Sequence, residues 1–247
     1  MVLRVCLSCL VLLSFLRAGD ELAKPDKIRL ETWVREDLFA GWIANDTKTF
    51  DRGVQKVERY LSEHPDDPTA LAFKYLAVSY DILRARAKAD DASYAKHLAA
   101  ANDLRARIFT GNLRDPGPYI VVGSCLVRTA EVAPGSDRKW MFQEGRDLLA
   151  KVPELQGKVF EQLPPHLRGE LWAQLAFAAD RLGDAAERDR ILDTMVTKLA
   201  GTPYETRARS WQKPGNLAKE TDYACISCHE PGRLAPTLAR VNASGAK

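Results

Sequence analysis

Apolar residues recur along most of this chain at steps of three and four, the spacing that gathers them on one face of an α-helix. Phe50, Val54, Val57 and Leu61 form one such stripe, and Phe73, Leu76, Tyr80 and Leu83 form a second. Tyr94, Leu98, Ala101 and Ile108 continue the pattern. Leu171, Trp172, Leu175, Ala179 and Leu182 repeat it, followed by Leu192, Met195, Val196 and Leu199. The breaks between stripes carry helix-end chemistry. Asp67-Pro68 predicts an N-cap with proline at the first helical position, and Thr202-Pro203-Tyr204-Glu205 has capping-box spacing. Gly183-Asp184 predicts a tight turn between two helices. Tyr119-Ile120-Val121-Val122 has strand propensity, but its neighbours are helical and it is expected to be helical too. The expected fold class is all-α.

The helices come in pairs. The first pair turns at Asn45-Asp46 and closes at His64-Pro65; the last turns at Gly183-Asp184 and closes at Gly201-Thr202-Pro203. Trp172, Leu175, Gly183 and that late small-residue/proline step fall near the positions of the tetratricopeptide repeat. The match is clear over residues 168–203, fair over 33–66 and degenerate between them. Residues 20–212 therefore resemble a tetratricopeptide-like solenoid of helical hairpins, each pair burying its stripe against the next. From Lys213 the pattern fails. Residues 213–247, with Pro214, Gly215, Pro231, Gly232 and Pro236, are expected to form a short, mostly irregular tail.

The N-terminus has different chemistry. Arg4 supplies a short positive region, Val5 to Leu16 are largely apolar, and Arg17-Ala18-Gly19-Asp20 turns small and polar. This is the pattern of a secretory signal peptide over residues 1–19, and the apolar run is too short for an ordinary membrane span. Its removal predicts an exported, periplasmic protein with no integral span. The formal charge of +3 falls to about +1 without Arg4 and Arg17, which is no signature of nucleic-acid binding. Of the five cysteines, Cys125, Cys225 and Cys228 would remain. Cys125, in Gly123-Ser124-Cys125-Leu126-Val127, reads as a buried small hydrophobe.

Cys225-Ile226-Ser227-Cys228-His229 is the attachment pattern of a c-type haem. Two residues between the thiols let one turn of chain reach both vinyl groups, and the adjacent histidine lies under the iron. Cys225 and Cys228 are thus expected to bind one covalent haem c, with His229 as the proximal ligand. With these residues placed, the chain resembles a group of exported bacterial tetratricopeptide-like proteins that end in such a motif. The matching segments are Val34 to Gly41, Pro165 to Leu171, Arg181-Leu182-Gly183-Asp184, Gly201-Thr202-Pro203-Tyr204 and Cys225 to His229. The resemblance implies fold, export and haem, and no mechanism.

The 18 residues after His229 contain neither methionine nor histidine, so an ordinary cytochrome c domain with a downstream sixth ligand is not present in this sequence. The candidates for that ligand are His64, His97, His166, Met141 and Met195. His166, in the Pro164-Pro165 segment before the helix bearing Trp172, leads them; a five-coordinate or water-ligated iron is the alternative. Tyr223 and Trp211 are candidates to pack on the porphyrin, and Arg233 to pair with a propionate. The leading functional expectation is an electron-transfer or haem-carrying subunit that docks on a protein partner, redox or periplasmic, through its repeats. The alternative is an interaction scaffold in which the haem senses or staples. Catalysis is disfavoured, because the charged groups Arg35, Glu36, Asp37, Arg168 and Glu170 are expected to be solvated on helix faces. A redox or zinc-binding cysteine pair lacks the surrounding motif.

Overall fold

The structure is a computed structural model of the chain and describes residues 28–43 and 46–219, together with 22 and 24. The expected leader over 1–19 and the residues Cys225, Cys228, His229, Tyr223 and Arg233 lie outside the described residues. Among those described there are ten α-helices, one short 3-10 turn at Leu217–Lys219 and no strand. In order they are α1 (Leu30–Ile43), α2 (Thr47–Glu63), α3 (Pro68–Ala87), α4 (Asp91–Ile108) and α5 (Pro116–Ala130). There follow α6 (Gly135–Gln156), α7 (Lys158–Gln162), α8 (Pro165–Leu182), α9 (Ala185–Lys198) and α10 (Pro203–Trp211). The protein is all-α, as its periodicity predicts. Its described residues divide into two compact units, one ending at Ala70 and the other starting at Leu71.

In the first unit α1 packs on α2. Asp46 starts α2, its Oδ1 accepting the Lys48 and Thr49 amides at 3.1 and 3.2 Å. The predicted stripe is buried at Phe50, Val57 and Leu61, as are Val34 and Leu38 of α1. Gly53 makes the close approach possible, since a Cβ there would lie 2.9 Å from Leu38 Cγ. Asp37 departs from expectation: it is buried, not solvated. Arg52 Nη2 and Lys56 Nζ donate to its two oxygens at 2.5 and 2.7 Å. Burial alone would raise the Asp37 carboxyl, but these two cations hold it below the ordinary carboxylate value.

In the second unit, α5 and α6 cross at two glycines. A Cβ on Gly123 would lie 2.8 Å from Leu149 Cγ, and one on Gly145 would lie 3.0 Å from the Gly123 carbonyl. The segment with strand propensity is helical because Asp115 and Pro116 start a helix just before it; Asp115 Oδ1 accepts the Gly117 amide at 2.9 Å. Cys125 is buried in α5, and burial pushes its thiol up to about 12. α4 is joined to α6 by Arg105 on Glu144 at 2.6 Å and by the Tyr94 hydroxyl on Asp137 at 2.8 Å.

Helix α8 packs against α6, α9 and α10. It ends at Gly183, whose φ of 78° is the left-handed conformation glycine adopts without strain. Asp184 then caps α9 by accepting the Glu187 amide at 3.1 Å. The start of α10 is only partly the predicted capping box. Thr202 stands at the N-cap, but its hydroxyl donates back to the Leu199 carbonyl at 2.6 Å, and Glu205 accepts the Gly201 amide instead of the Thr202 amide. The spacing located the helix start correctly and assigned the wrong partners.

Gly145→Ala should lower Tm by about 4–8 °C despite alanine's better helix propensity, because overpacking the crossing costs about 2 kcal/mol. Gly135→Ala, where an added Cβ meets nothing within 4 Å, should leave Tm unchanged or slightly higher. Thermal unfolding followed by circular dichroism separates the two. Asp37→Asn should destabilise by about 3 kcal/mol at neutral pH, since it weakens a buried ion pair that Lys56 cannot replace. The folded carboxyl titrates below its unfolded value near 4, so its contribution is complete above about pH 4 and is lost as pH falls further. The stability gap between wild type and Asp37→Asn should therefore be flat from pH 5 to 7 and close below about pH 4.

Candidate functional site

The site is built at the N-terminal end of α8. Pro164 and Pro165 open that helix, and Arg168 Nε donates back to the Leu163 carbonyl at 3.0 Å. His166 and Glu170, four residues apart, share one face of the helix. Gly169 lies between them, and a Cβ there would overlap the Tyr204 ring. The missing side chain lets Tyr204, near the start of α10, lay its ring on α8 and point its hydroxyl between the histidine and the acid.

The result is a continuous chain of hydrogen bonds. The Tyr204 hydroxyl donates to Glu170 Oε1 at 2.8 Å, and His166 Nδ1 is 2.5 Å from the same hydroxyl oxygen. Arg207 Nη1 lies 3.7 Å from Glu170 Oε1, with its guanidinium 5.5 Å from the Tyr204 ring and 5.7 Å from the Trp211 ring. Glu170 and Tyr204 are buried and His166 is half-buried. Glu170 thus differs from the solvated carboxylate expected at that position, because α10 covers it.

Direction follows from the groups themselves. A carboxylate only accepts, so the one Tyr204 proton points at Glu170. The tyrosine oxygen then accepts, and His166 Nδ1 carries the hydrogen. In the neutral ring this leaves the lone pair on Nε2, the tautomer that a carboxylate or other acceptor behind a histidine enforces in metal-ligating sites.

The other end of α8 holds the start of the C-terminal segment. Arg181, with its side chain 13% exposed, donates through Nε to Glu131 at 3.1 Å and lies 4.1 Å from the Phe177 ring centre. Its two terminal nitrogens reach the carbonyls of Leu217 and Ala218 at 3.5 and 3.4 Å. Leu217 is buried. The chain that leads to Cys225 therefore starts from a fixed point beside Arg181. Fifteen residue steps of helix separate Arg181 from His166, about 22 Å along the axis. Six steps of chain separate Lys219 from Cys225, about 20 Å when extended.

The remaining candidates are scattered. Met195 and Met141 are 0% and 1% exposed, and Met141 sulfur accepts from Thr129 Oγ1 at 3.8 Å, so both belong to the core. His64 caps the end of α2, its ring 4.5 Å from the Tyr60 ring. His97 is half-buried midway along α4. Trp211, a candidate to pack on the porphyrin, is buried at the end of α10. Nothing in the spacing pairs Tyr204 with His166 and Glu170; the signals were the helical i, i+4 relation and the glycine between them. Among the described residues no group of three or more His, Cys, Asp or Glu is placed to hold a metal ion, and no helix is long and apolar enough to cross a membrane. A groove of about 600 Å³ runs between α6, α8 and α9, lined by Pro153, Trp172 and Ile191 with Arg146, Glu187 and Arg190.

Arg181→Ala should release the segment at Leu217–Lys219. A charge-assisted hydrogen bond to a carbonyl is worth about 1.5 kcal/mol, so the Lys219 amide should exchange with solvent at least about tenfold faster. Hydrogen-exchange mass spectrometry over residues 212–219 reads this directly.

No protein-family model matches this chain, and no curated protein or solved structure matches it. The site therefore has to be interpreted from its own residues.

Proposed function

We propose that this protein is an exported, periplasmic c-type haem carrier, an electron-transfer subunit whose tetratricopeptide-like helical pairs dock on a protein partner. The observation that carries the reading is Cys225-Ile226-Ser227-Cys228-His229, placed shortly after a helical body whose last described turn is clamped by Arg181. Cys225 and Cys228 would hold the haem through thioethers and His229 would ligate its iron. Bound haem supplies one-electron chemistry at a potential set by its axial ligands and burial. Of the sixth-ligand candidates, His166 is half-buried at the α8 end with Nδ1 hydrogen-bonded to Tyr204, while the two internal methionine sulfurs are committed to the core.

The chain's own contribution is placement. Arg181 anchors the start of the C-terminal segment, and the α1/α2 hairpin and the α8/α9 hairpin are each a repeat-like helical pair. The groove beside Trp172 favours a second reading, in which the repeats bind a polypeptide and the haem senses or staples. Its mixed Arg and Glu lining suits a partner carrying both charges.

Export in a host that matures c-type cytochromes tests the first reading. The expected product keeps its haem on a denaturing gel and shows a sharp reduced α band. The Cys225→Ala/Cys228→Ala variant should lose both while keeping its helical circular dichroism. A matured wild type without covalent haem would overturn the proposal.

A further inference from the structure

We propose that Tyr204 is a redox-active side chain. It gives one electron to a strong outer-sphere oxidant while its phenolic proton passes to Glu170, and a one-electron donor reverses both transfers. The proposal stands on residues of the second unit alone and does not depend on bound haem.

A phenol that loses an electron becomes a strong acid, so the electron leaves readily only where a base already holds the hydroxyl proton. Glu170 Oε1, 2.8 Å from the Tyr204 oxygen, is that base. In the step the Tyr204 O–H bond breaks, the proton bonds to Glu170 Oε1, and the electron goes to the oxidant. The products are a neutral phenoxyl and a neutral carboxylic acid. A carboxylate buried in α8 is thereby discharged, which relieves the cost of enclosing it. Arg207, which faces the acid at 3.7 Å, has a side chain 31% exposed, so water solvates its charge when the acid is neutral.

Arg207 also disfavours oxidation without proton loss. Its guanidinium lies 5.5 Å from the Tyr204 ring centre and 5.7 Å from that of Trp211, so a cation radical on either ring would face a positive charge. A phenoxyl carries no charge and escapes this repulsion. His166 Nδ1, 2.5 Å from the phenolic oxygen, donates to it before and after the step. Burial of Tyr204 against α8 shields the radical from coupling with a second phenol.

Tyr94 provides the internal comparison. Its hydroxyl also donates to a carboxylate, that of Asp137, at 2.8 Å. Asp137 is only half-buried, so discharging it gains less, and among the described residues no histidine is hydrogen-bonded to the Tyr94 oxygen.

The test uses the full exported chain, with any bound haem ferric, oxidised by photogenerated tris(bipyridine)ruthenium(III). Electron paramagnetic resonance of the frozen product should show a phenoxyl signal in the wild type and in Tyr94→Phe. Tyr204→Phe, which keeps the ring over Gly169, should lose it. Glu170→Gln keeps a hydrogen-bond acceptor but takes no proton, so its phenoxyl should form about a hundredfold more slowly, a loss typical of removing a positioned base. Circular dichroism establishes that each variant is folded. A second measurement needs no variant: phenoxyl formation in the wild type should be slower in heavy water, because the proton moves with the electron. Absence of the signal from the wild type, its survival in Tyr204→Phe, an undiminished rate in folded Glu170→Gln or equal rates in light and heavy water overturns the proposal. None of these outcomes touches the haem-carrying reading.

Discussion

Eleven consecutive residues of α8, Gly169 to Ala179, are buried, so this helix has no solvent face along its middle. A helix covered all round must be narrow enough for neighbours to approach, and its polar groups must find partners inside the protein. Ala173, Ala176, Ala178 and Ala179, with Gly169, meet the first condition, while Phe177 fills the larger gap toward Phe142 at 6.3 Å between ring centres. The second condition falls on Glu170 and Gln174, and is met in part, since the buried Gln174 Oε1 accepts no hydrogen bond. Gln174 Nε2 donates to the Glu170 carbonyl at 3.4 Å, and Glu170 takes the Tyr204 hydroxyl and faces Arg207. The placement of α10 is thereby tied to the charge inside α8.

With its middle enclosed, α8 meets other groups only at its ends. His166 and Leu167 stand at the first turn, and Arg181 at the last. One end orients an imidazole; the other fixes the point from which the C-terminal segment leaves. Both arrangements rest on the same buried rod, so a change in how α8 packs on α6 or α9 moves the two together. Helix geometry sets their separation at about 22 Å, a distance that side-chain substitution does not alter.

Much of this was legible in the sequence. The stripes at Phe50, Val57 and Leu61 and at Leu192, Met195 and Leu199 are buried where the three-four spacing places them, and Asp67, Gly183 and Asp184 end or begin helices by the chemistry of their side chains and backbone. Periodicity reports which face of a helix is apolar. It is silent on which charged residue on another face will be covered by an element far along the chain. Asp37 and Glu170 were therefore expected in solvent, although the first lies against cations of α2 and the second under Tyr204 of α10. Thr202 shows the same limit on a local scale, since capping-box spacing cannot tell which of two nearby partners the hydroxyl will choose.

The buried Glu170 is a poor device for stability alone. Enclosing a carboxylate requires compensation from hydrogen bonds and charge, and well-packed apolar residues of similar volume would often serve at least as well. What the apolar replacement cannot do is set the direction of a hydrogen bond. The Glu170–Tyr204–His166 chain has one proton per link and a fixed acceptor at its far end, so the orientation of the imidazole follows from the acid. His166 is thereby held by a chain of hydrogen bonds that ends on a buried acid.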